Sequence, residues 1–239
     1  NLPALTANAT VGAVNVTGGT LALGGRTLTV NRGFSTTGTG TLSANVPASI
    51  LLVARDVLFA GGSTNGLLSA GALQVTGNFT QSAVTSVASF APSGTFKTQF
   101  VSATAQNVSM GSPGAGAAGS HFQVLDVSSA TGGLVLDVNM AADSLISTSA
   151  AGRITSSGVQ LTARRVQVAG LTLVNTRFVL DEQGTFNAEN FSNVQFGGFP
   201  TPIAGTTMLT VVGPGSAAAA RPALTTTNVN FQALGIGAA

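Results

Sequence analysis

The segment Ser157–Leu180, SGVQLTARRVQVAGLTLVNTRFVL, alternates apolar and polar residues in short runs that repeatedly lose phase. Alternation with a period of two is typical of a β-strand whose two faces differ in environment. One long strand would keep its phase, because a slip of one residue moves every following side chain to the opposite face. We therefore interpret each loss of phase as a corner where one short strand ends. The apolar sets between these corners are Val159/Leu161/Ala163, Val166/Val168, Leu171/Leu173 and Phe178/Leu180.

The N-terminal part of the chain repeats the pattern at a spacing of seven residues. Paired glycines and β-branched residues disfavour a helix, although coiled coils share this spacing. No amphipathic helix of useful length is visible elsewhere, so we predict an all-β protein. The apolar pairs, at positions i and i+2, are Val14/Val16, Leu21/Leu23 and Leu28/Val30.

A longer repeat relates two N-terminal segments. LTVNRGFS at 28–35 and LQVTGNFT at 73–80 share the pattern Leu-x-Val-x-x-x-Phe-Ser/Thr at an offset of 45 residues. Two coils of roughly 20–25 residues each would give that offset, within the repeat lengths of solenoid proteins. The motif Asn-Val-x-Phe recurs at Asn193 and Asn228, an offset of 35 residues. Unequal offsets predict loops of variable length at the corners.

Many short strands with glycine turns fit either an antiparallel sandwich or a parallel solenoid. Sandwich hairpins favour Asn-Gly and Asp-Gly turns, whereas Asn65-Gly66 is the only Asn-Gly here and Asp-Gly is absent. We therefore predict a single parallel β-solenoid (β-helix) over residues 1–239, with roughly ten short coils, irregular corner loops and loop insertions near 111–120 and 213–222. The residues predicted to point inward are Leu28, Val30, Phe34, Leu73, Val75, Phe79, Phe122, Val124, Leu161, Val166, Val168, Leu171 and Leu173.

Composition excludes several classes of function. Charged residues make up 7% of the chain and the net charge is +2. A nucleic-acid site needs clustered cations and usually aromatic platforms, but only Arg164 and Arg165 are adjacent, and Tyr and Trp are absent. Absence of cysteine excludes disulfides and is compatible with export. The longest apolar run, Ile50–Ala54, is far below the ~20 residues of a membrane-spanning helix. We predict no nucleic-acid partner, no membrane span and an extracellular or cell-surface location, with any signal peptide outside this sequence.

Several segments resemble the repeats of one class of proteins: GNFT at 77–80, GTFKTQF at 94–100, HFQVLDVS at 121–128 and FSNVQF at 191–196. They look like the repeats of large bacterial exported β-helix and autotransporter-passenger-like surface proteins. The resemblance implies a right-handed parallel β-helix at the cell surface or in the extracellular matrix. It implies no catalytic residues.

Candidate metal ligands are few. His121 is the single histidine, and without a visible Cys or His companion we predict a surface side chain rather than a metal ligand or acid-base group. Asp126, Asp137 and Asp143 would have to gather to bind calcium, and their spacing matches no calcium loop. We favour the interpretation that they are strand-end acids at corners. The prediction is no metal, no cofactor and no catalytic residue.

The densest group of charges lies at 164–189. A carboxylate pair such as Asp181 and Glu189 would suit acid-base chemistry on a glycan, so a carbohydrate-active β-helix enzyme or glycan-binding module is the alternative function. Charges one coil apart on an outer face more often form exposed pairs that contribute little. We therefore predict no enzyme. The group comprises Arg164, Arg165, Arg177, Asp181, Glu182 and Glu189.

Asparagine and threonine recur in three patterns. Stacked asparagines predict hydrogen-bond ladders in the turns. A Thr-x-Thr pattern raises an ice-binding hypothesis, which requires that pattern on every coil, and Asn-x-Ser/Thr sites permit N-glycosylation. The ladder asparagines are Asn31, Asn78, Asn107, Asn193 and Asn228, the threonines are Thr27, Thr29, Thr37, Thr39 and Thr41, and the glycosylation sites are Asn8, Asn15, Asn78, Asn107 and Asn190.

Both ends of the sequence lack charge. Residues 1–16 contain no charged residue and one proline, Pro3, and residues 223–239 contain neither charge nor proline. End coils of a solenoid present unpaired backbone groups, which soluble proteins cover with charge, proline or a cap. We therefore predict a non-enzymatic structural protein that self-assembles head-to-tail into a filament or forms an adhesin-like stalk. The alternative is that further protein flanks this segment and covers its end coils. The predicted partners are copies of the chain and surface glycans.

Overall fold

The computed structural model describes residues 4–114, 119–148, 152–168, 171–174, 176–181, 194–197, 209–212 and 234–236. Beyond Ala163, the side chains of Leu171 and Thr176 alone belong to the described part. The described residues form strands and turns without a helix, and their parallel sheets stack as a β-solenoid. Parallel pairing throughout excludes the antiparallel sandwich. The prediction of an all-β parallel solenoid is confirmed.

Three sheets make up the described part of the solenoid. The long sheet has 11 strands: β1 Ala9–Val11, β4 Thr27–Val30, β7 Ile50–Val53, β9 Ala72–Val75, β11 Lys97–Phe100, β13 Phe122–Asp126, β15 Met140–Ser147, β17 Gln160–Val168, β19 Arg177–Asp181, β21 Leu209–Val212 and β22 Leu234–Ile236. The second sheet has 9 strands: β2 Val14–Val16, β5 Phe34–Thr36, β8 Val57–Phe59, β10 Phe79–Gln81, β12 Gln106–Met110, β14 Leu134–Leu136, β16 Arg153–Ser156, β18 Leu171–Val174 and β20 Val194–Gly197. The short sheet pairs β3 Thr20–Ala22 with β6 Thr41–Ser43.

Each early coil contributes one strand to each sheet in turn. Val14, Leu21 and Leu28 lie in β2, β3 and β4, which belong to the second, short and long sheets respectively. In this coil one strand and the corner that follows it therefore take up seven residues.

The 45-residue repeat spans two coils, as predicted. Leu28 pairs with Leu51, and Leu51 pairs with Leu73, so the two similar segments are separated by one coil of different sequence. On the second sheet Phe34 pairs with Val57, which lies opposite Phe79. Stacked positions keep their inward direction from coil to coil, although their residue types change.

One of the predicted corners is wrong. The loss of phase between Ala163 and Val166 lies inside β17, which continues without a break from Gln160 to Val168. The same change of phase occurs in β15, where Asp143 and Ser144 are both half-buried between buried neighbours. In β15, two successive outward residues thus shift the alternation without ending the strand, and the register with β17 keeps the same offset before and after the shift.

The same kind of phase change explains why Val124 was wrongly predicted to point inward. In β13 the outward pair is Gln123 and Val124, so Val124 is half-buried and Leu125 is the inward, fully buried residue. The other predicted inward residues whose side chains are described are buried: Leu28, Val30, Phe34, Leu73, Val75, Phe79, Phe122, Leu161 and Leu171. The side chains of Val166, Val168 and Leu173 lie outside the described residues.

A column of phenylalanine rings fills the centre of the middle coils. Phe79 contacts four other rings, with centroid distances of 4.8 Å to Phe90, 5.4 Å to Phe122, 5.9 Å to Phe59 and 6.2 Å to Phe100. Tilted and edge-on arrangements at these distances add to the stabilisation from burial alone. Phe59, Phe90, Phe96 and Phe100 were not on the predicted inward list, and all are buried.

Glycines occur where the backbones of successive coils come closest. A Cβ atom at Gly61 would overlap the carbonyl oxygen of Gly40, and one at Gly40 would overlap that of Val16. Gly40 and Gly61 therefore have no room for a side chain where their backbones pass the preceding coil.

The insertion predicted near 111–120 connects β12 to β13. Its described ends are joined by hydrogen bonds from Gly114 N to Ser120 O (2.9 Å) and from Ser120 N to Ser112 O (2.8 Å). The insertion predicted near 213–222 lies outside the described residues.

The corner glycines yield a test of coil stacking. We expect Gly61→Ala to lower the free energy of unfolding by about 1–3 kcal/mol, because the new methyl group forces two backbones apart. The melting temperature should fall by roughly 2–4 °C per kcal/mol. Gly12→Ala is the matched control, since nothing lies within 4 Å of the Cβ position there. Equal melting temperatures for the two variants, measured by circular dichroism, would contradict the stacking described.

Candidate functional site

The first described coil has an open edge. Strands β1 and β2 each lie at the end of their sheet, and β3 pairs with β6 alone among the described residues. One hydrogen bond, from Leu5 N to Ala22 O (3.0 Å), reaches this edge from the preceding segment. We call the open side of β1, β2 and β3 the first-coil edge.

The first-coil edge also leaves part of the apolar core accessible. Four of its inward residues, Ala9, Val11, Val14 and Leu21, pack against the core but are only half-buried, whereas Val16 of β2 is buried. In the next coil their partners are buried: Ala9 pairs with Leu28, Val11 with Val30 and Val14 with Phe34. The first charged residue of the chain is Arg26. Free strand edges next to accessible apolar groups are a template for pairing with another strand.

A shallow depression of about 480 Å³ adjoins this edge on the outside of the solenoid. It crosses the first three coils at the corner that precedes the second sheet. Asn15 and Ser35 occupy one part of it, and the Asn15 Oδ1 atom accepts hydrogen bonds from the hydroxyl groups of Ser35 (3.0 Å) and Thr37 (3.2 Å). The lining residues are Ala13, Val14, Asn15, Gly33, Phe34, Ser35, Asp56 and Leu58.

A ladder of polar side chains crosses the outer face of the long sheet. Gln74 donates through Nε2 to Gln99 Oε1 (2.9 Å), and Gln99 donates through Nε2 to Asp126 Oδ2 (3.1 Å). Lys97 Nζ lies 3.6 Å from the same Asp126 oxygen, and the backbone N–H of Ser128 donates to Asp126 Oδ1 (3.0 Å). The amide dipoles point in one direction and end on a carboxylate, so the ladder links three coils.

Asp126 is 7% exposed and lies at the end of this ladder. Burial raises the pKa of the Asp126 carboxyl, but hydrogen bonds from the Ser128 side chain and backbone and from Gln99, with the Lys97 charge, outweigh burial and hold the pKa below its ordinary value. The ionised form is therefore the form that the folded protein favours. Asp126 was predicted to be a strand-end acid, whereas Gln74, Gln99 and Lys97 were not predicted to take part. The 25-residue spacing of the two glutamines, about one coil, was the available signal.

The predicted asparagine ladder exists in part. The backbone N–H of Asn107 donates to Asn78 Oδ1 (2.9 Å), and that of Asn78 donates to Asp56 Oδ1 (2.7 Å). The same arrangement joins Thr27 N to Asn8 Oδ1 (2.9 Å) and Gln160 N to Asn139 Oδ1 (2.8 Å). Asn31 is exposed after β4 and does not take part. Asn193 and Asn228 lie outside the described residues.

The three aspartates do not gather. Asp126 ends β13 and Asp137 follows β14, as expected for strand-end acids, whereas Asp143 lies at the phase change inside β15 and accepts a hydrogen bond from Gln123 Nε2 (3.1 Å). Within the described ranges no three His, Cys, Asp or Glu side chains are grouped so that they could hold a metal ion.

His121 is not a surface side chain, contrary to the prediction. It is 7% exposed, between the Gly119–Ser120 segment and β13. The imidazole lies beneath the connection between β12 and β13, and its Nδ1 atom has no hydrogen-bond partner in the described part of the chain. Strand alternation could not indicate this burial, because residues outside the strands, Pro92, Gly114 and Gly119, lie against the ring.

The structure describes only part of the charged group at 164–189, and none of its side chains. Arg164 and Arg165 belong to β17, and Arg177 and Asp181 belong to β19, but their side chains are not described, and Glu182 and Glu189 lie outside altogether. Gln160 pairs with Arg177 and Ala163 with Leu180, so the next residues along the two strands are Arg164 and Asp181. This register puts one cation and one acid on adjacent coils.

The threonine pattern does not extend along the long sheet. Thr27 and Thr29 pair with Ile50 and Leu52, which lie opposite Ala72 and Gln74 in the following coil. Thr41 is buried in the short sheet, and Thr37 and Thr39 belong to the turn before it. Among the glycosylation sites, Asn8, Asn15 and Asn107 are exposed, Asn78 is half-buried and Asn190 lies outside the described residues.

Comparison with known proteins gives no relative: no family model, no curated protein and no solved structure matches this chain. In the part of the chain that the structure describes, no helix has the length and apolar character needed to cross a membrane.

The Asp126 ladder predicts a pH-dependent contribution to stability. The unfolded carboxyl has the higher pKa, near 3.8, so the contribution is present above about pH 4 and is lost as the pH falls through the lower folded pKa. We expect Asp126→Asn to reduce the free energy of unfolding at pH 7 by about 1–2 kcal/mol, mainly through weaker hydrogen bonds, because Lys97 is 38% exposed and its charge is screened.

Urea unfolding at pH 7 and at pH 3 measures this contribution. The difference between the wild-type protein and Asp126→Asn should shrink at the lower pH, whereas Asp137→Asn, which alters an exposed carboxyl, should change the unfolding free energy little at pH 7. A difference between wild type and Asp126→Asn that stays the same at both pH values would show that the carboxylate charge is not stabilising.

Proposed function

We propose that this chain is a non-enzymatic structural protein, located outside the cell or on its surface, that assembles head-to-tail through the ends of its solenoid. In this proposal the solenoid is a right-handed parallel β-helix, as the resemblance to bacterial exported β-helix and autotransporter-passenger-like surface proteins implies. The proposed number of coils is roughly ten. The observation that carries the proposal is the first-coil edge, where β1 and β2 are end strands of their sheets among the described residues and Ala9, Val11, Val14 and Leu21 are half-buried.

The geometry of the long sheet supports addition of a further copy. At one end of the sheet β1 pairs only with β4, and at the other end β22 pairs only with β21, among the described residues. Placing the β22 edge of one copy against the β1 edge of the next continues the parallel sheet. Because the two surfaces differ, the contact is heterologous, and a heterologous contact that does not close into a ring produces a filament.

Composition supports an extracellular location. The chain has no cysteine that oxidation could modify, and only 7% of its residues are charged. Its coils are held by backbone pairing, buried phenylalanines and amide ladders, which depend little on salt concentration. Surface glycans are proposed as a further partner, because Asn15, Ser35 and Asp56 present polar groups at the depression beside the first coil.

The assembly test places lysines at the first-coil edge. We expect Val11→Lys with Val14→Lys to abolish assembly, because inward-pointing charges at an open edge prevent strand pairing. In the isolated protein both positions are half-buried at the end of the core, where the long lysine side chains can still reach solvent. Thr10→Lys with Ala13→Lys is the matched outward-lysine control, since these residues directly precede Val11 and Val14 in the sequence but are exposed.

Light scattering and negative-stain electron microscopy of the whole chain provide the readout. The wild-type protein and the outward-lysine control should form long particles whose mass rises with concentration, and the inward-lysine variant should remain a monomer. A wild-type protein that stays monomeric at high concentration would contradict assembly through this edge. Equal assembly of all three proteins would show that another surface joins the copies.

The non-enzymatic part of the proposal has a separate test. A carbohydrate-active enzyme would turn over acidic or neutral polysaccharides through Asp181, Glu182 or Glu189, with Arg164 or Arg177 nearby. We expect no turnover in a polysaccharide screen. Turnover that disappears in Asp181→Asn would replace the structural proposal by the enzymatic one, whatever the state of assembly.

A further inference from the structure

Two arginines occupy the same corner of successive coils. Arg32 lies between β4 and β5, and Arg55 lies between β7 and β8. Before the corner β4 pairs with β7, and after it β5 pairs with β8, each at an offset of 23 residues (27 to 50 and 34 to 57). The same offset separates Arg32 from Arg55, so the two residues are neighbours across coils. We call them the arginine pair.

Backbone hydrogen bonds on both sides of the arginine pair hold the two corners together. Ala54 N donates to Val30 O (2.9 Å) before the arginines, and Phe34 N donates to Asp56 O (3.1 Å) after them. Adjacent strands lie about 4.8 Å apart, so the two exposed side chains begin from neighbouring points. Like charges that lie opposite each other on paired strands are destabilising. A bound anion would relieve this repulsion.

No acid in the described part of the chain forms an ion pair with these arginines. Between described side chains there is one ion pair, from Lys97 to Asp126. Asp56 directly follows Arg55, but its Oδ1 atom accepts a hydrogen bond from the backbone N–H of Asn78 (2.7 Å), one coil further on. The arginine pair is therefore open to an anion from solution.

Glycines on the neighbouring coils leave the arginine pair uncovered. Arg32 N donates to Gly12 O (2.7 Å) on the preceding coil, and Gly77 N donates to Arg55 O (3.2 Å) on the following coil. Neither glycine has a side chain that could cover a guanidinium group. At Gly12 nothing lies within 4 Å of the Cβ position, so that side of the corner is open space.

The shallow depression beside the first coil begins immediately after the arginine pair. Gly33 and Asp56, the residues that follow the two arginines, both line it. Asn15 Oδ1 accepts hydrogen bonds from the hydroxyl groups of Ser35 and Thr37, which orients the amide and leaves its Nδ2 group to donate to a ligand. The depression thus adds a neutral donor and a carboxylate acceptor to the two cations.

This combination of groups matches an acidic sugar. A guanidinium binds a carboxylate through parallel N–H donors, and amide and carboxylate groups bind sugar hydroxyls. The apolar lining from Ala13, Val14 and Leu58 suits the C–H face of a pyranose ring. Nucleic acid fits less well, because the chain has no Tyr or Trp on which bases could stack. An anionic membrane attracts clusters of about four to eight cations, more than this corner offers.

We propose that the arginine pair and the adjoining depression bind an acidic polysaccharide. One uronate carboxylate is held between Arg32 and Arg55, and neighbouring hydroxyl groups are bound by Asn15 and Asp56. This inference rests on the proposal that surface glycans are partners of the chain, and it names their chemical class. It does not depend on assembly through the ends of the solenoid.

Isothermal titration calorimetry of the whole chain at pH 7 tests the site with two matched ligands. The first is oligogalacturonate, a chain of uronic acids, and the second is the same oligosaccharide with its carboxylates methyl-esterified. We expect the acid to bind about tenfold more tightly than the ester, because the ester cannot accept charge-assisted hydrogen bonds. The affinity for the acid should fall as the salt concentration rises, because the site is exposed.

Variants separate the arginine pair from a general attraction to a cationic chain. Arg32→Gln and Arg55→Gln should each weaken binding of the acid about tenfold, the loss expected for one hydrogen bond to a charged group. Arg26→Gln is the matched control, because it removes the same charge from an exposed arginine at another corner, before β4. Equal losses in all three variants would overturn the site.

The remaining outcomes distinguish this inference from the broader proposal. Equal affinity for the acid and the ester, or arginine variants that bind like the wild type, would overturn the inference and leave a glycan partner standing. Binding of neither ligand would remove the glycan partner as well, without bearing on the assembly that light scattering measures. Equal affinity for an oligothymidylate of the same charge, with the same loss in the arginine variants, would show an unselective anion site and overturn the assignment to a glycan.

Discussion

Close parallel stacking of successive coils is the constraint on which every other feature of this structure depends. Strands in a sheet lie about 4.8 Å apart, so each residue meets the residue one coil before it and the residue one coil after it. At the corners this spacing leaves no room for a Cβ atom, which accounts for Gly40 and Gly61. On the inside it brings phenylalanine rings into contact, and on the outside it aligns amides and carboxylates into ladders.

The same constraint defines how the solenoid can associate. Interior coils satisfy their backbone groups and bury their apolar residues between two neighbours, whereas the first described coil has one neighbour. Val11 and Val14 are therefore half-buried while Val30 and Phe34 are fully buried, although the paired residues occupy equivalent positions. No charged residue precedes Arg26 in this sequence, and in the proposed assembly a second copy would cover both the backbone groups and the apolar groups of this edge.

Much of the fold was predictable because strand alternation and coil length are local signals. The pairs Leu28/Val30 and Leu73/Val75 lie inside, and the 45-residue offset spans two coils, as the sequence indicated. The errors at Val124 and at the phase slip after Ala163 both fall inside continuous strands. At Val124, two outward residues in succession shift the alternation, and sequence alone does not distinguish such a shift from a turn.

The sites were harder to predict than the fold. His121 is buried by a loop whose position depends on contacts between coils, and Gln74 meets Gln99 only because the intervening coil has the right length. By contrast, the absence of charge before Arg26, beside the first-coil edge, is visible directly in the sequence. Features set within one strand were therefore visible in the sequence, whereas features set by loop lengths between coils were not.

The register of the long sheet provides the most direct test, and the absence of native cysteine makes spin labelling straightforward. Thr29 and Leu52 face outward on adjacent strands and are register partners, whereas Thr29 and Gln99 are separated by three strand spacings. Nitroxides at Thr29→Cys and Leu52→Cys should show strong spin–spin interaction at about 5 Å, and labels at Thr29→Cys and Gln99→Cys a much weaker one at roughly 14 Å. Equal interaction in the two doubly labelled proteins, or none in the first, would contradict a parallel in-register solenoid.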